Sequence, residues 1–101
     1  MREIYFGDLR HKVIEYAREI EASRPEADST AWFLLRYLRR IIRVTEPPSR
    51  PGQVEGAIRS LVRFYIDNID EKSVQGQICI NIHDLYRKIL RDTWTQANKH
   101  G

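Results

Sequence analysis

Between Thr30 and Val44 the chain sets apolar side chains at Phe33, Leu34, Leu35, Tyr37, Leu38, Ile41, Ile42 and Val44. At about 100° per residue, these positions sweep roughly 200° of a helix perimeter. Arg36, Arg39, Arg40 and Arg43 fill much of the remainder, with Trp32 among them. Asp28 or Ser29 precedes the segment as an N-cap. A helix apolar over so wide an arc is either the centre of a small bundle or part of a subunit interface. Short neighbours in so small a chain do not easily cover 200°, so the pattern predicts a homodimer formed through this helix.

Three further stripes keep the same period. Phe6, Leu9, Val13, Tyr16, Ala17 and Ile20 predict a helix from residue 3 or 8 to 22, with Asp8 as its cap if the first residues are extended. Ser23-Arg24-Pro25 ends it, because the residue before a proline leaves the right-handed α region. Val54, Ile58, Leu61, Val62, Tyr65, Ile66 and Ile69 predict a third helix over residues 53–69, in which Gly56 either weakens the helix or lets a neighbour approach closely. Residues 77–82 alternate like a strand. Yet Ile78, Ile82, Leu85, Tyr86, Ile89, Leu90, Trp94 and Ala97 hold helical spacing for five turns. The longer pattern predicts a fourth helix from residue 73 or 76 to 97, with Ser73 as cap.

Residues 45–52 carry three prolines and a glycine and form the one clear break. The expected fold is all-α: an antiparallel bundle of four helices with a proline-rich connection between the second and third. One domain spans residues 1–97, followed by a frayed tail at 98–101. A length of 101 residues does not support two cores. No apolar run is long enough for a bilayer, and the N-terminus lacks the apolar block of a signal peptide. The single cysteine, Cys79, excludes an intramolecular disulfide and makes a reducing cytoplasm the default compartment.

Catalytic motifs are missing. There is no phosphate-binding glycine loop, nucleophile elbow or two-histidine zinc pattern, so no cofactor or metal is expected. Cys79 and His83 stand one helical turn apart beside the apolar stripe, where packing explains both. His83 and Asp84 are adjacent and do not face each other on a helix. Pro48-Ser49-Arg50-Pro51 matches a minimal PxxP pattern, which a helix-breaking linker accounts for equally well.

Charge is uneven along the chain. The net charge is +3, and thirteen of the seventeen basic residues are arginine. Residues 28–66 hold seven arginines against three acids, whereas both flanking thirds are close to neutral. Arg36, Arg40 and Arg43 lie one turn apart, and such like-charged neighbours repel by a few tenths of a kcal/mol per pair. Acids from another helix, an acidic protein or phosphates would offset that. Trp32, Phe33 and Phe64 stand beside these arginines, with Trp32 and Phe64 projecting from their stripes as exposed anchors. Aromatic and Arg residues dominate binding energy at interfaces. Trp32, Phe33, Arg36, Arg39, Arg40, Arg43 and Phe64 are therefore the expected contact set of a non-catalytic protein that masks an acidic or apolar protein surface, as an anti-activator, adaptor or chaperone does. The alternative is a small DNA-binding dimer using the same cluster on phosphates. A ribbon-helix-helix would need Arg2-Ile4-Phe6 as its strand, and a helix-turn-helix would need a shorter turn than residues 45–52 provide.

Overall fold

The computed structural model describes residues 4–99, with side chains over 4–95. Four helices, α1 (Gly7–Ala22), α2 (Thr30–Val44), α3 (Pro51–Asn68) and α4 (Val74–Lys99), follow one another with no strand among the described residues. Each helix packs on its neighbours in the chain, and α4 closes the ring against α1. The core takes one stripe from each: Leu9, Val13, Ala17 and Ile20; Leu34, Leu35, Leu38 and Ile41; Val54, Ala57, Ile58 and Leu61; and Ile78, Cys79, Ile82 and Tyr86. Phe6 joins them and stacks on Tyr86 at 6.3 Å between ring centroids. Contacts between α2 and α3 run in opposite sequence order, with Tyr37 on Phe64 and Arg40 on Ser60.

Local chemistry fixes the helix ends. Ser29 Oγ accepts the Trp32 N–H at 3.2 Å, which supplies one of the donors a helix start leaves unpaired. Ser73 does the same for α4, accepting from Gly76 N at 3.0 Å, so residues 77–82 are helix rather than strand. At the end of α2, buried Thr45 donates its hydroxyl to the Ile41 carbonyl at 2.7 Å. Arg24, before Pro25, turns into the left-handed region at φ 50°.

Several expectations need correction. Asp8 does not cap α1; Phe6 holds the N-cap position and Asp8 lies in the first turn. A start at residue 3 is ruled out as well, because residues 4–6 are not helical. Helix α3 begins at Pro51, two residues early, because a proline at the first helical position loses no hydrogen bond. Ile69 is its C-cap rather than its last turn. Helix α4 runs on through residues 98 and 99, so the expected frayed tail is helical there, and residues 100–101 lie outside the described residues. Residues 4–6 form no strand, so a ribbon-helix-helix has no ribbon in them.

The largest correction concerns the apolar perimeter of α2. Leu34, Leu38 and Ile41 are fully enclosed, Leu35 is 5% exposed, and Trp32, Phe33, Tyr37, Ile42 and Val44 are half-buried. Helices α1 and α3 cover the arc from both sides. The apolar arc that this helix leaves open to a second copy is thereby narrowed to the half-buried positions.

Gly56 is not a close-approach glycine either. A Cβ there would meet only the tip of the Arg40 side chain, at 3.7 Å. Gly56→Ala is therefore expected to stabilise the fold by about 0.5–1 kcal/mol, the helix-propensity difference between the two residues. A urea midpoint that rises with an unchanged slope would bear this out.

Candidate interaction surface

The outer face of α2 and the adjoining edge of α3 assemble all seven residues singled out by sequence. Phe33 meets Trp32 edge to face at 5.0 Å and tilts against Phe64 at 6.4 Å. Phe64 stacks in turn on Tyr37 at 4.7 Å. Such offset and edge-on geometries suit aromatic quadrupoles and hold the cluster in place. Trp32 and Phe64 do not project as free anchors; both are half-buried, flanked by aromatic neighbours. The Arg36 guanidinium lies 5.2 Å above the Trp32 ring, within cation–π range.

A depression of about 590 Å³ opens over this cluster, lined by Phe33, Arg36, Tyr37, Arg39, Arg40 and Arg43. Its floor is aromatic and its rim is guanidinium. Intramolecular acids offset little of that charge. Arg39 pairs with Glu21 of α1 at 3.2 Å, and both side chains are about half exposed, so water screens the pair. Arg40 donates to the neutral Ser60 hydroxyl at 3.0 Å. Among the described residues, Arg36, Arg40 and Arg43 have no carboxylate partner. Three charged forks thus stand exposed around an apolar floor, an arrangement that receives carboxylates or phosphates bidentately.

Cys79 and His83 are not brought together as a reactive pair. Cys79 is 2% exposed, and burial pushes its thiol from 9.0 up to about 12. His83 instead lines a groove between α3 and α4. No group of three or more metal-ligating side chains occurs among the described residues, and no helix there is long and apolar enough to cross a membrane.

Sequence reasoning missed the α3–α4 groove. Its signal was present in the wide stripe of α3, but Ile66, read as part of that stripe's buried face, is 70% exposed. Compared with known proteins, the chain matches no family model, no curated protein and no solved structure.

Proposed function

We propose that this chain is a non-catalytic regulatory or adaptor protein that docks on an acidic protein surface through α2 and masks it. The observation that carries this is the set of exposed Arg36, Arg40 and Arg43, without carboxylate partners, around the half-buried Trp32–Phe33–Tyr37–Phe64 cluster. Interfaces draw on this combination: rigid aromatic surface gives affinity, and Arg forks give register and on-rate. The aromatic floor favours a protein over a nucleic-acid backbone, for which cations alone would suffice. A cytoplasmic site of action belongs to the same proposal, on the strength of a lone thiol kept reduced. A homodimer through α2 is not part of it.

Co-purification from native lysate, with and without nuclease, tests the proposal. Wild-type protein is expected to retain a protein partner after nuclease treatment, and the Arg36→Glu/Arg40→Glu variant to lose it by about tenfold or more. Trp32→Ala is expected to weaken the same complex with helical circular dichroism unchanged. Retention of the partner at full strength by both variants counts against this face. Loss of all binding on nuclease treatment, with affinity falling steeply with salt, assigns the arginines to phosphates instead.

A further inference from the structure

On the opposite side of α3 from Phe64, helices α3 and α4 leave a groove of about 510 Å³. Ile58, Val62 and Ile66 line it from α3 at four-residue intervals. Tyr86 lines it from α4, and the same four-residue ridge continues through Leu90 to Trp94. On a helical wheel, Leu90 and Trp94 fall within about 60° of the lining residues His83 and Arg87. The apolar face of the groove therefore runs on past the cavity along α4. Ile66 is 70% exposed and Trp94 68% exposed. Tyr65 lies within electrostatic reach of Cys79, and Tyr86 of Glu55 and Arg59, so α3 and α4 run in opposite order. Ile66 and Trp94 consequently mark opposite ends of one strip. Two parallel ridges of four-residue spacing form the valley that a third helix fills with a ridge of its own.

The charge along the strip identifies the kind of helix. Arg59, Arg63 and Arg87 line it, with Arg91 one turn beyond Arg87, against Glu55 and Asp67. Glu55 is already engaged with Arg59 at 3.1 Å. Arg63, Arg87 and Arg91 are exposed and have no carboxylate partner among the described residues. A second copy of this chain would set the same cationic rim against itself, and like charges across an interface cost several kcal/mol.

We propose that the α3–α4 face is a docking groove for an acidic amphipathic helix of a protein partner, three to four turns long and seated between Ile66 and Trp94. Its apolar ridge lies over Val62 and Tyr86, and its Asp or Glu residues meet Arg63, Arg87 and Arg91. This surface is separate from the α2 face, and either can fail without the other.

The test is fluorescence anisotropy with a fluorescein-labelled 18-residue helical peptide carrying a leucine ridge flanked by glutamates, compared with the same peptide bearing lysine at every glutamate. The glutamate peptide is expected to bind at least about tenfold more tightly than the lysine peptide. Ile66→Asp and Trp94→Ala, both at exposed positions, are each expected to weaken it about tenfold with unchanged melting curves. Arg36→Glu, on the α2 face, is expected to change it less than about twofold. Equal affinity for the two peptides overturns the proposal. So does undiminished binding to both groove variants, or loss of binding to Arg36→Glu alone, which would place the peptide on α2. A peptide-free dimer in sedimentation that Trp94→Ala dissolves would give the face to a second copy and also overturn it.

Discussion

Gly76→Ala is expected to lower the unfolding temperature by roughly 10–20 °C, the shift that about 2–3 kcal/mol produces in a domain of this size. Gly76 is buried in the first turn of α4, beneath the turn that leads into that helix. A Cβ there would stand 2.2 Å from the Asp70 carbonyl oxygen, 2.9 Å from Glu71 Cα and 3.0 Å from Glu71 C. All three are backbone atoms, so no side chain can swing aside. The turn itself is tied down. Ser73 donates its hydroxyl to the Asp70 carbonyl at 2.6 Å while accepting from Gly76 N at 3.0 Å, and the Asp70 carboxylate accepts from Lys72 N at 3.0 Å. Relieving the clash means lifting residues 70–73 off α4, which breaks the cap and its supporting bonds together. Gly52→Ala is the control: a Cβ there meets nothing within 4 Å, and its melting temperature is expected to stay level or rise. A Gly76→Ala melt within about 2 °C of wild type would mean that the turn yields freely.

That glycine shows where sequence stops being legible. The helical period located all four helices, because apolar spacing is a property of each segment alone. Ser29 and Ser73 were readable as caps for the same reason: each bonds an amide three residues away. Gly76, by contrast, is required by a turn folding back over the helix, which no spacing records. The perimeter of α2 failed in the same way. A wheel counts how much of one helix is apolar, not how far the stripes of α1 and α3 wrap around it, and here they enclose Leu35 and half-bury Ile42.

The candidate surface was more legible than the groove for a related reason. Six of its seven residues sit on one helix, where three- and four-residue spacing predicts neighbours directly. Phe64 joined them through tertiary packing against Phe33 and Tyr37. The arginine cluster was visible from the start, but not which of its members finds an acid. The Arg39–Glu21 pair depends on how the 23–29 connection, with Arg24 and Asp28 both at positive φ, sets α1 beside α2. The groove depends on where α3 and α4 part and on which positions lie beyond a neighbour. Ile66 and Trp94 keep the period of their stripes and yet stand exposed.

Cys79 in the native protein is expected to react with a thiol reagent at pH 8 about a thousandfold more slowly than in the urea-unfolded chain. The thiolate is the nucleophile, and burial moves its formation from 9.0 to about 12, so the reactive fraction falls by about a factor of ten for each unit of that shift. Enclosure adds a steric barrier, since Cys79 packs in the core with 2% of its surface exposed. Native labelling is then governed by opening of the fold, and the rate tracks stability. Gly76→Ala, three residues away on α4, is accordingly expected to accelerate it, whereas Gly56→Ala slows it. The pH dependence follows from the same proton. The folded state holds it and the unfolded chain releases it above 9.0, so this contribution to stability is complete below that value and declines as pH rises toward about 12. Native and unfolded rates within a factor of about ten at pH 8 would mean an open thiol and a loosened α4. Either result bears on the groove as well, because the helix that buries Cys79 also carries His83, Arg87 and Trp94 further along its length. A firmly seated α4 is what holds those three in line for a partner.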